Sequence, residues 1–150
     1  MRNSIIIFLF SLSTFYLSAQ NIDYNTKKGY AANGYDVVTY FSNKAVEGNK
    51  AFTTTFKGIK YKFSSKENLQ TFSKNPEKYA PQYGGYCAYA IAVNNKKVSI
   101  DPETFQIKNG KLLLFYNSWG TNTLKLWNKE NPDVLFKKAD KNWEAIKFKK

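Results

Sequence analysis

One cysteine, Cys87, and the complete absence of histidine bound the chemistry open to this 150-residue chain. Methionine occurs only as the initiator. Structural zinc needs four Cys or His ligands, and catalytic zinc three side chains dominated by His, so neither can be assembled within one copy. Copper sites draw on His, Cys and Met in combination, and of these only Cys87 is present. A hard-cation site would fall to carboxylates, with Asp36 and Asp101 beside Cys87 as the candidate ligands, yet there is no EF-hand loop or comparable acidic cluster. Any cofactor is therefore unknown, and the lack of His and Met opposes a metal. Catalysis meets a similar obstacle. Ser-His and Cys-His nucleophiles are excluded, and Asp36, Asp101 and Glu103 do not define a paired-carboxylate site. The expectation is a protein that is not an enzyme.

Cys87, in Tyr86-Cys87-Ala88-Tyr89, has two readings. It is either a reactive or intermolecularly paired thiol, or a small buried hydrophobe, which the flanking apolar run favours. Tyr79, Tyr83, Tyr86 and Tyr89 cluster around Gly84-Gly85. Such tyrosines commonly pack a core or loop, while phenolic tips beside a glycine pair can line a pocket. Tyr83, Gly84, Gly85, Tyr86 and Cys87 are accordingly the candidate ligand-binding residues.

The elements that must position these residues can be read from pattern. Asn33-Gly34 signals a turn, and Val37 to Phe41 reads as a first strand. Ala51 to Phe56 and Ile59 to Phe63 flank Lys57-Gly58, a hairpin in which Phe56 faces Ile59, Thr54 faces Tyr61 and Phe52 faces Phe63, with every apolar residue on one side. The Ser-x-x-Glu spacing from Ser64 to Glu67 predicts a capped helix with Leu69 and Phe72 inward, ending near Asn75 before Pro76. Pro81 to Gly85 is a shaped loop, and Tyr86 to Val93 is strand or short helix. Asn109-Gly110 predicts a type I′ hairpin pairing Ile107 with Leu112 and Phe105 with Leu114. Two C-terminal helices follow, one around Thr121 to Lys129 with Leu124 and Trp127 inward, one from Pro132 with a stripe of Leu135, Ala139, Trp143 and Ile146. The fold class is α+β: a small antiparallel sheet built from hairpins, a short central helix and C-terminal helices.

Residues 1–20 have the order of a cleavable signal peptide: Arg2, an apolar stretch from Ile5, and small residues near Ala19. The stretch is too short and too interrupted by Ser and Thr for a membrane span, so the expectation is export to the periplasm or beyond with no transmembrane segment after signal removal. Residues 21–150 then form a single domain. Without Arg2 the chain carries 22 lysines against 11 acids, a net charge of +11. Sequence-specific DNA readers rely on arginine, which is missing from residues 21–150, and these lysines are dispersed. Specific nucleic-acid binding is not expected, whereas an anionic envelope surface remains compatible with the charge.

Tyr61-Lys62-Phe63-Ser64-Ser65, then Phe72, then Asn75-Pro76-Glu77-Lys78-Tyr79, resembles the YHS domain family. Asn33 to Val38 upstream and Tyr79 to Ala88 downstream extend the resemblance to a secreted bacterial subgroup, over roughly residues 30 to 117, leaving a C-terminal helical extension. YHS domains of metal transporters carry Cys in the aromatic strand and the helix after it. Here Ser64 and the Glu67-Asn68 region stand at those places, so no residue is carried over as a metal ligand. The resemblance implies the fold and an exported setting. The leading functional expectation is a non-catalytic binding or accessory module recognising an unidentified ligand through the Tyr83 to Tyr86 loop. The alternatives are metal handling by Cys87 with Asp36 or Asp101, and a lysine-rich surface held against anionic envelope polymers.

Overall fold

The computed structural model describes residues 21–148, so the expected signal peptide lies outside the described residues. The architecture is α+β, as expected. Thirteen regular elements run in the order β1 (Thr26–Lys27), β2 (Tyr30–Ala31), β3 (Asn49–Phe56), β4 (Ile59–Phe63), α1 (Lys66–Lys74), α2 (Pro76–Tyr79), α3 (Ala88–Asn94), β5 (Asp101–Lys108), β6 (Lys111–Phe115), β7 (Asn117–Ser118), β8 (Thr121–Asn122), α4 (Thr123–Lys129) and α5 (Pro132–Ile146). A four-stranded sheet has the order β1-β2-β4-β3, and two further sheets are the hairpins β5-β6 and β7-β8. The main sheet is not purely antiparallel: β2 joins β4 in parallel through Tyr30 and Lys60.

Each hairpin turns on an X-Gly pair with positive φ at both residues: Lys28-Gly29, Lys57-Gly58, Asn109-Gly110 and Trp119-Gly120. Such turns match the right-handed twist of the flanking strands. The expected pairs Phe56↔Ile59, Thr54↔Tyr61, Ile107↔Leu112 and Phe105↔Leu114 are all present. The expected Phe52–Phe63 pair is not. A bulge between Asn49 and Thr53 sets Asn49 opposite Phe63. The Asn49 side chain accepts from Ala51 N–H at 2.8 Å, which takes this stretch out of the regular ladder. Gly48 beside it lies so close to Lys62 that a Cβ would meet the Lys62 Cβ at 2.5 Å.

Val37 to Phe41 is not a strand. Asp36 folds it locally: one carboxylate oxygen accepts from Val38 N–H, the Thr39 hydroxyl donates to the Asp36 carbonyl, and Thr39–Ser42 closes as a 3-10 turn. Side chain-to-backbone bonds of this type compete with the sheet ladder and here override β propensity. The cap of α1 is also displaced by one residue. Ser65, not Ser64, accepts from Asn68 N–H at 3.2 Å, and Glu67 is held below the usual carboxylate range by its own backbone N–H and by the Ser65 hydroxyl. Asn75 then starts α2 with Pro76 in its first turn. The segment from Tyr86, ambiguous by pattern, becomes helix α3 from Ala88.

Two hydrophobic clusters meet at β6. Leu112 and Leu114 belong to the cluster containing Tyr61, Phe63 and Phe72, whereas Leu113 and Phe115 belong to that containing Ile91, Trp127, Leu135 and Ala139. A strand buried on both faces reads as a continuous apolar run, as Leu112 to Phe115 does. Phe72 is central to the first cluster, with ring centroids 4.7 Å from Tyr61, 5.1 Å from Phe63 and 6.0 Å from Phe56. The Asn142 side chain fastens α5 to α3 by donating to the carbonyls of Ile91 and Ala92.

Candidate functional site

The glycine loop expected to recognise a ligand sits between the chain's N-terminal segment and α5. Tyr83, Gly84 and Gly85 have φ of 53°, 60° and 79°. A Cβ on Gly84 would stand 2.7 Å from the Asp23 carbonyl oxygen and 2.9 Å from the Trp143 ring, so only glycine admits this approach. Asn25 N–H donates to the Gly84 carbonyl, and the Asn25 side chain to that of Gly85. Tyr83 is buried and its hydroxyl donates to Asp140 at 2.9 Å; burial, then the Asp140 carboxylate, push its pKa well above that of a free phenol. The Tyr86 hydroxyl donates to Asp23 at 3.0 Å, its pKa pushed up to about 12 by burial and then by that carboxylate. Lys97 pairs with the same Asp23 at 2.9 Å and lies over the rings of Tyr86 and Trp143. The phenolic tips of Tyr83 and Tyr86 therefore fasten chain segments together.

Cys87 is fully buried. The Thr123 hydroxyl has one proton, and it goes to the Tyr116 carbonyl at 2.8 Å. The 3.3 Å contact between Cys87 and Thr123 is then the thiol donating, while Sγ accepts from Tyr116 N–H at 3.4 Å. Asp36 is also fully buried. Its oxygens accept from Val38 N–H at 2.9 Å, Ser64 N–H at 2.8 Å, the Ser64 hydroxyl at 2.7 Å and the Asn68 amide at 2.8 Å. Asp101 accepts from Glu103 N–H, the Thr104 hydroxyl and the Asn117 amide. The three candidate metal ligands thus belong to three separate hydrogen-bond networks. Among the described residues no three of His, Cys, Asp and Glu come together. This donor set does not fit a metal ion, and Ser64 and Asn68, standing where metal-binding relatives are expected to carry Cys, bind Asp36 instead.

A cleft of about 140 Å³ opens beside the glycine loop, lined by Tyr24, Phe56, Tyr61, Tyr83, Gly84 and Trp143 among others. Lys57 and Glu77, also in its lining, pair at 2.7 Å with both side chains largely in solvent. Tyr61 is only 3 % exposed, and its hydroxyl makes no hydrogen bond among the described residues. No wholly buried side-chain polar atom lacks a partner among them, so the Tyr61 oxygen keeps some contact with solvent, and Tyr61 is among the residues lining the cleft. Burial, followed by the neighbouring Tyr24 and Glu77, raises its pKa well above the ordinary phenol range, which keeps it a neutral donor.

The YHS domain family model matches residues 38–83. This segment is a YHS domain. No curated protein and no solved structure matches the chain. The YHS segment runs from the 3-10 turn after Asp36 through β3, β4, α1 and α2 to Tyr83, and it supplies Phe56, Lys57, Tyr61, Glu77 and Tyr83 to the cleft. Ile22, Tyr24, Gly84 and Trp143 come from outside the YHS match. Of the residues singled out by sequence, Tyr83 and Gly84 line this cleft, whereas Gly85, Tyr86 and Cys87 do not. The sequence pattern puts Tyr61 on the inner face of its hairpin and in the aromatic strand of the YHS resemblance, with no ligand role. A tyrosine on an apolar inner face carries a hydroxyl that needs a partner, and that was the available signal.

Proposed function

We propose that this chain is an exported, non-catalytic binding module, and that the cleft lined by Tyr61 takes a small planar organic molecule bearing a hydrogen-bond acceptor. The observation that carries the reading is the Tyr61 hydroxyl, nearly enclosed and without a protein partner among the described residues. An acceptor seated in the cleft would take the place of water at this hydroxyl, a hydrogen bond worth about 0.5–1.5 kcal/mol. Phe56, Tyr24 and Trp143 offer aromatic surface to the body of such a ligand. The Lys57–Glu77 pair is exposed on both sides, so parting it to admit or hold a polar group costs little. A phenol whose pKa is raised donates a hydrogen bond near neutral pH but does not serve as a base, and the chain has no histidine to do so.

Benzoate, benzamide and 4-hydroxybenzaldehyde are suitable probes, followed through the Trp143 indole N–H resonance. At least one is expected to saturate the native chain. Tyr61→Phe should then weaken it by about fivefold, the worth of one ordinary hydrogen bond. The urea midpoint should stay unchanged, because this phenol has no protein partner to lose. Failure of every probe to saturate, or equal affinity in the variant, would remove the site.

Export rests on Arg2, the apolar stretch that follows and the small residues near Ala19. Intact-mass measurement on the chain isolated from its cells should place the first residue close to Gln20 or Asn21. Residues 1–19 still attached would contradict it.

A further inference from the structure

Trp119 is 95 % exposed, while the other exposed large apolar side chains among the described residues lie between 37 % and 47 %. It stands at the tip of the β7-β8 hairpin, at the first of the two turn residues, with φ of 51° followed by 76° at Gly120. The molecule contains three controls for this position. Lys28-Gly29, Lys57-Gly58 and Asn109-Gly110 have the same pair of positive φ values, and each places a polar side chain where Trp119 stands. Left-handed backbone suits Asn and strains a bulky aromatic residue, so the turn gains nothing from tryptophan. Nor does the core, since almost all of the ring is in solvent.

The base of the hairpin is held in place. The Asn117 amide donates to Asp101 and to the Thr104 hydroxyl, Thr123 N–H donates to the Tyr116 carbonyl, and the Asn122 side chain caps α4 by accepting from Lys125 N–H. Its neighbours along the chain are the neutral Ser118, Gly120 and Thr121. From Tyr116 to Lys129 the chain has no acidic residue and two lysines, Lys125 and Lys129.

We infer that the Trp119 hairpin is a membrane-surface anchor, which seats one indole at the headgroup level of an anionic phospholipid bilayer. Indole rings favour that interface because their body is apolar and their N–H can remain hydrated. A convex tip without a surrounding pocket fits a fluid partner that closes around it better than a rigid protein surface. The charge complements anionic lipid: 22 lysines against 11 acids over residues 21–150, and no carboxylate on the segment that bears the ring. One inserted side chain binds a bilayer only marginally, so indole and lysines must act together, and binding should fall with salt. The site is separate from the Tyr61 cleft, and its failure would leave that reading intact.

The test compares the native chain with Trp119→Asn, which restores the residue of the Asn109-Gly110 turn and should fold at least as well. Vesicles of phosphatidylglycerol with phosphatidylethanolamine are set against neutral phosphatidylcholine at low and high salt. On the anionic vesicles the native chain should shift its tryptophan emission to the blue, a change attributable to Trp119 because Trp127 is fully buried and Trp143 partly so. Partitioning should fall about tenfold in Trp119→Asn, near the worth of one aromatic side chain moved out of water. Absence of a blue shift on anionic vesicles overturns the inference, as does equal partitioning of the two chains, which would assign the contact to the lysines alone. Capture of the indole by a protein or glycan, with vesicles ignored, overturns it as well.

Discussion

Asp36→Ala is expected to lower the unfolding free energy by about 3–5 kcal/mol, because it leaves several donors without an acceptor, each at about 1–3 kcal/mol where water cannot reach it. Four donors converge on this carboxylate, two from backbone and two from side chains, and the residue is wholly buried. Alanine would leave Val38 N–H, Ser64 N–H, the Ser64 hydroxyl and the Asn68 amide facing a void. These groups lie on the 3-10 turn, at the end of β4 and in the first turn of α1, so a single side chain joins three elements of the YHS domain. Asp36→Asn keeps one acceptor oxygen but turns an amide N–H₂ toward donors, and an intermediate loss follows. Urea denaturation measures both. A loss under about 1 kcal/mol for Asp36→Ala would show that the network is replaceable by water.

Phe72→Ala should cost a similar amount, about 3–5 kcal/mol, by lost transfer free energy and the cavity left behind. Its ring contacts those of Phe56, Tyr61 and Phe63, all from β3 and β4, and α1 has no other fully buried side chain. The variant should also disturb the cleft beside the glycine loop, because the Tyr61 ring is backed by Phe72 at a centroid distance of 4.7 Å. Phe72→Leu, which fills more of the space, should lose substantially less. Thermal or urea unfolding that places Phe72→Ala within 1 kcal/mol of the native chain would contradict this account of the core.

Local chemistry explains which elements could be read beforehand. The hairpin at Lys57-Gly58 is legible from its X-Gly turn and alternating apolar residues, and that at Asn109-Gly110 from its turn pair alone, which sets the pairing over a few positions. Val37 to Phe41 misled because β-branched composition says nothing about a carboxylate one residue earlier that captures the backbone. The glycine loop was recognisable as shaped, but the roles of its tyrosines depend on Asp23 and Asp140, some 60 residues away in either direction. No window of sequence brings those together. The same holds for the cleft, whose walls include Tyr24 and Trp143 from opposite ends of the described chain. Trp119-Gly120 is not legible as a hairpin turn because a pair with tryptophan in its first position does not resemble the usual Asn-Gly signal.

Strand β6 presents leucine or phenylalanine to both of its neighbours, with Leu112 and Leu114 on one side and Leu113 and Phe115 on the other. Sliding this strand by one position would exchange the two sets while keeping both sides apolar, so hydrophobicity alone leaves the two alignments nearly degenerate. What breaks the degeneracy is the two-residue turn at Asn109-Gly110, whose geometry admits only one phase. That turn therefore decides which leucine enters which half of the interior. Neither half can then come apart alone without stripping one side of a strand that the other half still needs, and the two clusters are bound to melt as a single cooperative unit.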